Sequence, residues 1–152
     1  MSATDILSDF MERLDALVLS PVLPVIWAGM KETPPSTGMW LEVRYFPNEP
    51  KDLTVDNDSQ QDTLGFFQVA VFYRPTKGQN LQIAASEVAD LIIAHFPKGF
   101  EMNEVRVRKG PWQSPAVDLE GKSFIPVTIP YRGIIGVAGT YIVDGDYFII
   151  DG

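Results

Sequence analysis

The sequence predicts an α+β fold: a mostly antiparallel sheet with two helices packed on one face, and a C-terminal β-hairpin appended. Three observations carry this. Period-two alternation recurs at residues 39–46, 63–74, 104–109 and 124–131, the pattern of a pleated strand. Two amphipathic segments, one near the N-terminus and one at residues 80–96, repeat their apolar positions at helical spacing. Several strands follow one another with no helix between them, which favours antiparallel pairing and leaves both helices to one side.

The first helix has Ser2 or Thr4 as its cap, Asp5 at its positive end, and a stripe of Ile6, Leu7, Phe10, Met11, Leu14, Leu17 and Val18. Pro21 and Pro24 stop it. A short apolar stretch, residues 25–27, leads into a loop rich in proline and threonine at 31–38. The strand at 39–46 sets Leu41, Val43 and Tyr45 against Trp40, Glu42, Arg44 and Phe46. Residues 47–62 hold one lysine and five acids. They are too polar to pack and too long for a hairpin turn, so a poorly ordered loop is expected.

The next strand, 63–74, alternates Phe67, Val69, Val71 and Tyr73 with Phe66, Gln68, Ala70 and Phe72. Apolar groups on both faces mean that neither face is simply solvated. After a turn, Asn80 caps the second helix, whose face is Leu81, Ala84, Ala85, Val88, Leu91, Ile92 and Phe96. Pro97 and Gly99 end it. The strand at 104–109 puts Arg106 and Arg108 on one basic face. The strand at 124–131 carries Pro126 and Pro130. Proline cannot donate to a ladder, so this strand is expected at a sheet edge or with a bulge. Gly133, Gly136 and Gly139 then form a hinge, and Asp144-Gly145 is a two-residue hairpin turn. The expected organisation is a body at 1–132 and a hinge-plus-hairpin extension at 133–152.

With 152 residues, the chain suits one domain burying roughly 70% of its unfolded-state surface. It has no cysteine, hence no disulfide, thiolate ligand or thiol nucleophile. Its N-terminus, MSATDILSDF, lacks the basic start of a signal peptide, and no apolar run approaches a membrane span. The net charge of −8 disfavours non-specific binding to nucleic acid.

Catalytic chemistry finds little purchase. His95 is the sole histidine and sits at a helix end, where an imidazole caps carbonyls or meets the negative helix terminus. No G-x-S-x-G elbow supplies a serine for it. Read as a calcium loop from Asp56 and Asp58, the acidic segment places Gln61 at position six and Phe67 at position twelve, where glycine and glutamate belong. The glycines after residue 132 do not match a dinucleotide fingerprint. No cofactor and no enzymatic activity are expected. Aromatics are the better clue: Trp40, Phe46, Phe66, Phe72 and Trp112 cannot all enter the core of one two-layer domain, so a share of them is expected to serve assembly. The competing reading is that the C-terminal hairpin covers them. Arg106 and Arg108 are expected to meet acids of an adjoining subunit, from Asp52, Asp56, Asp58 and Asp62; pairing with Glu101 or Glu104 within the chain is the alternative.

Taken in order, these segments resemble the tail-terminator proteins of lambda-like, long-tailed phages and prophages. The similarity runs through ILSDFMERLDAL, PVIWAGMKETPPSTGMWLEVRYFP, GFFQVAVFYRPTKGQNLQIAASEVADLIIAHFPKG and SFIPVTIPYRG. Within it, a G-x-x-Q-V-x-V strand begins at Gly65, an A-x-x-x-A-D helix spans Ala85, Ala89 and Asp90, and a P-V-x-I-x-Y strand runs from Pro126 to Tyr131. The hairpin lies outside that pattern. The resemblance implies a structural virion protein that caps the finished tail tube as a ring of six subunits, ends tube growth and offers a surface for head joining. It implies as partners further copies of the chain, the tube protein and a head-completion or connector protein, with no membrane and no sequence-specific nucleic acid. It places the protein at the head-proximal end of the tail, after assembly in the host cytoplasm. A tube subunit or head-completion protein is the structural alternative, and a small hydrolase or ligand-binding domain the alternative of another class.

Overall fold

A computed structural model describes residues 3–48, 51–52, 61–103, 105–135, 139–143 and 146–150. In chain order the elements are α1 (Ala3–Asp15), β1 (Val25–Ile26), β2 (Met39–Pro47), β3 (Lys51–Asp52), β4 (Gln61–Tyr73), α2 (Leu81–His95), β5 (Glu101–Met102), β6 (Val105–Val107), β7 (Trp112–Gln113), β8 (Val117–Leu119), β9 (Lys122–Ile135), β10 (Gly139–Val143) and β11 (Asp146–Ile150). The main sheet has the order β1-β2-β4-β9-β6-β5, with β3 paired to β4, and β7 and β8 paired to β9. Every pairing in it is antiparallel except β1–β2, which is parallel. The α+β class and the mainly antiparallel sheet are as the sequence predicts.

The alternation in β2, β4 and β9 decides what packs where. Leu41, Val43, Phe67, Val69, Val71, Tyr73, Ile125, Val127, Ile129 and Tyr131 share one core with Ile6, Phe10 and Leu14 of α1 and with Ala85, Ala89, Ile92 and Phe96 at α2. Both helices therefore lie on one face. Phe10 is the pivot: its ring stacks on Phe67 at 4.7 Å and meets Tyr131 edge-on at 5.4 Å. Burying each such ring contributes about 1.5–3 kcal/mol. Asn80 caps α2 by accepting from the Ile83 amide at 3.3 Å. Thr4, by contrast, lies inside α1 rather than capping it, and Ser2 falls outside the described residues. The α2 face turns toward Ala89, so Leu91 is exposed. Helix α1 stops at Asp15, which leaves Val18 off the core stripe.

Gly65 is required by close approach. A Cβ there would lie 2.6 Å from the Phe46 carbonyl oxygen and 2.8 Å from the Tyr131 hydroxyl. That hydroxyl donates to the Tyr45 hydroxyl at 2.9 Å, and burial, together with this bond, pushes the Tyr131 phenol well above its usual range.

The expectation that the proline strand lies at an edge is wrong. Strand β9 is interior and pairs with β4 along its whole length, from Tyr73↔Ser123 to Gln61↔Ile135. The carbonyls of Pro126 and Pro130 accept from the amides of Ser114 and Arg108, both at 2.9 Å. A residue's N–H and C=O point to the same side of a strand, so both prolines turn their missing donors away from β4. On that side the partner is broken into β6, β7 and β8, with Pro126 and Pro130 at the gaps. The interruption falls on the neighbour, and β9 needs no bulge.

Two further expectations change at the strand ends. The acidic segment is strand at both limits, since Lys51 and Asp52 pair with Asp62 and Gln61; residues 53–60 lie outside the described residues. Gly133 sits within β9, where a Cβ would come 2.9 Å from Ile6 Cδ1, so any hinge begins after Ile135. Strands β10 and β11 pair as a separate two-stranded ribbon, with Val143 opposite Asp146; the turn residues Asp144 and Gly145 fall outside the described residues.

Candidate assembly surface

The face of the sheet opposite the helices gathers every second residue of the long strands. Cross-strand register sets Trp40 beside Phe72 and Phe124, and Phe46 beside Phe66 and Pro130. The two ends of this face differ. At one, Trp40 and Phe72 stack at 5.3 Å, and Phe72 and Phe124 at 4.7 Å, in a small cluster with Ile26 and Ala70. Trp40 is 0% exposed and Phe72 1%. The Arg74 guanidinium lies 5.1 Å from the Trp40 ring while its Nε donates to the Pro35 carbonyl at 2.8 Å, drawing the proline-rich loop to this end. Lys122 sits 5.1 Å from Phe72 in the same way. The indole N–H donates to Glu42 at 2.9 Å.

At the other end, Phe46 is 39% exposed and stacks on a half-buried Phe66 at 4.8 Å. Trp112, on β7, is 41% exposed with the Lys109 ammonium 5.0 Å from its ring. Thus Trp40 and Phe72, expected among the exposed aromatics, are consumed inside the chain, whereas Phe46, Phe66 and Trp112 still present surface. Periodicity identifies the face but not its covering, because Arg74 and Lys122 reach Trp40 and Phe72 as single long side chains.

Arg106 and Arg108 are exposed, and the buried residues between and before them, Val105 and Val107, fix their common side. In register, Arg106 lies between Glu101 and Arg132. Two cationic residues thus adjoin at one corner of an acidic chain. Of the acids expected opposite them, Asp56 and Asp58 lie outside the described residues, and of Asp52 and Asp62 only the backbone pairing is described.

His95 has a structural part. Its Nε2 lies 2.6 Å from the Arg13 carbonyl oxygen, and the Arg13 side chain donates back to the His95 carbonyl at 3.2 and 3.0 Å. The pair ties the C-terminal ends of α1 and α2 together. Burial, outweighing the bond to the Arg13 carbonyl, lowers the His95 pKa, so the imidazole is neutral at pH 7 and donates Nε2–H. Among the described residues, no three His, Asp or Glu side chains gather as a metal site, and no helix is long and apolar enough to cross a membrane.

A cavity of about 270 Å³ opens between the end of α1 and the β1–β2 edge, lined by Leu14, Leu17, Val22, Leu23, Val25 and Leu41 among others. Val18 and Val22 stand at its mouth, 86% and 85% exposed. Sequence reading missed it, since the stripe ending in Val18 looked like continuous helix core.

A search of curated proteins gives no match. Solved structures are similar; one, at 28% identity, covers 88% of this chain and 96% of its own, with a TM-score of 0.69. The family described as "Phage tail terminator protein" matches residues 5–131. That span runs from α1 through the proline-bearing strand β9 and takes in both helices and the sheet they cover, and on it the chain belongs to the phage tail terminator family, whose members are structural proteins of the virion.

Proposed function

We infer that the protein caps the assembled tail tube as a closed ring of six copies, ending tube polymerisation and providing the surface for head joining. The observation that carries this reading is the family match over residues 5–131. The exposed end of the helix-free face supports it, because Phe46, Phe66 and Trp112 are aromatics of the kind enriched at protein interfaces. Head-to-tail contacts that close by rotation generate a ring. The partners are then further copies, the tube protein and a head-completion or connector protein, and the site is the head-proximal end of the tail. In this reading residues 1–132 are the ring-forming body and 133–152 an extension of it.

Copies of a chain with net charge −8 repel unless opposite charges meet at the seams. Arg106 and Arg108 serve such a seam, facing acids of the Asp52, Asp56, Asp58 and Asp62 segment in the next copy. Reversing both to glutamate weakens assembly more at low salt than at high salt and leaves monomer melting nearly unchanged. Normal tail length with both reversed would remove the seam from this account.

Cryo-EM of assembled tails tests the whole. One ring of this chain at the head-proximal end is the expected result. Repetition along the tube would make it a tube subunit, and density confined to the head side of the junction would make it a head-completion protein.

A further inference from the structure

Helix α2 and the sheet each have a second apolar side, and no described part of the chain closes over either. On its inner side α2 buries Ala85, Ala89 and Ile92 in the core. On its outer side Ile83 and Leu91 are 58% and 51% exposed. Ile83, Glu87 and Leu91 recur every fourth residue and so line one stripe, flanked by the exposed Asp90 and Ala94. A helix that is apolar all round belongs between two layers rather than at a surface. The stripe is also acidic, since Glu87 and Asp90 meet no lysine or arginine anywhere in α2.

The open end of the helix-free face has the opposite character. Phe46 and Trp112 stand at its two sides, and the register fills the space between them with Phe66, Gln68, Thr128 and Pro130, none of them charged. Cations stand at the rim. Arg44 is exposed two positions from Phe46 on the same side of β2, and Lys109 lies against the Trp112 ring. The dimensions agree as well. From β2 to β7 the path crosses β4 and β9, three strand steps or about 14 Å. Ile83 and Leu91 stand about 12 Å apart along α2 at the helical rise per residue.

We propose that α2 of one copy lies across the open end of the next copy's sheet, with Ile83 and Leu91 on its aromatics and Glu87 and Asp90 between Arg44 and Lys109. Within a chain α2 packs on the other side of the sheet, so it meets this face only in another copy. Each sheet is then covered on both sides, by its own helices and by a neighbour's, as an apolar sheet face requires. Opposite charge fixes which surface pairs with which. The two surfaces differ, so the contact is heterologous and of the kind that closes a ring. The inference rests on the ring reading in requiring copies side by side.

The chain has no cysteine, so single thiols can be placed at will. Full-length Gln68→Cys is mixed with a differently tagged Glu87→Cys. Position 68 is central on the open end and position 87 central on the stripe, so the pair meets whichever way the helix runs. Each chain carries one thiol, and a disulfide joining the two tags arises only between copies. Under mild oxidation on assembled tails, that product is expected at about tenfold the yield of Gln68→Cys with Ser8→Cys, an exposed position on α1, because the seam holds the paired thiols at high effective concentration. Ile83→Lys with Leu91→Lys is expected to melt like the parent, both side chains being exposed, while ring formation falls about tenfold or more. Rings that form normally with both lysines, or that assemble without the mixed disulfide, overturn the inference and leave tube capping intact. So does a Gln68→Cys thiol that joins Thr140→Cys instead, which gives the face to the β10–β11 hairpin. A full-length chain that never associates, on tubes or off, overturns both readings.

Discussion

The two faces of the central sheet are built from the same strands with the same period, yet they end in different states. On the helix side, Phe67, Val69, Tyr131 and their neighbours are closed over by α1 and α2, with Phe10 seated between the layers. On the other side, closure is local. Trp40 and Phe72 are sealed by Phe124 and by the cations Arg74 and Lys122, while Phe46 and Trp112 remain open. Burial on the helix side is imposed by whole elements; on the other it depends on single long side chains reaching across. An apolar stripe thus shows that a residue is eligible for burial, and only the reach of its neighbours decides whether the chain itself completes the job.

The largest test of this contrast is a pair of truncations, one per face. Phe67→Ala and Trp40→Ala should each cost about 3–5 kcal/mol, read from denaturant midpoints at constant slope. A loss below about 1 kcal/mol for Trp40→Ala would mean that the second face is not a true core and would erase the distinction between its two ends. Next is Gly65→Ala. The added methyl collides with backbone at Phe46 and with the Tyr131 hydroxyl, and a loss of about 1–3 kcal/mol is expected. Pairing it with Tyr131→Phe sharpens the result: partial recovery in the double variant assigns the clash to the hydroxyl, and none assigns it to the carbonyl.

Phe46→Ala should reduce monomer stability by about 1 kcal/mol or less, the scale of one exposed ring stack, while lowering ring formation. A monomer loss as large as that of Trp40→Ala would show the open end to be as closed as the other. The smallest effect is a pH dependence on the helix side. The folded His95 pKa lies below its ordinary 6.5, so the unfolded chain takes up the proton first, and stability falls as pH drops from 6.5 through the folded value. Asp9 is raised instead, chiefly by burial, and its contribution runs the other way at lower pH. Melts above about pH 5.5 therefore isolate the histidine. His95→Gln should flatten that limb, and a limb that persists would assign the slope elsewhere.

Where the sequence is legible, a period is the reason. The stripe from Ile6 to Leu14 and the alternation in β4 each need only a helix or strand to have one meaning, and the core follows. The fate of the even-numbered aromatics has no such signature, because Arg74 and Lys122 are remote from Trp40 in the chain. The short strands β5, β7 and β8 are too brief to alternate. Pro126 and Pro130 mislead for a specific reason. A proline bars pairing on one side of a strand only, and spacing by an even number of residues keeps both on the same side, so the β4 ladder is untouched.

The long β4–β9 ladder also has a consequence for synthesis. Its partners are remote: Tyr73 waits for Ser123, and Gln61 for Ile135. At about 5–20 residues per second, several seconds pass between emergence of the first strand and emergence of the second. Through that interval β4 is flanked only by β2 and β3, with an unpaired edge that is apolar on both sides. Such non-local pairing folds slowly and leaves sticky intermediates exposed. Expression of this chain should therefore respond strongly to holdase chaperones that shield nascent strands, even where the finished molecule is stable.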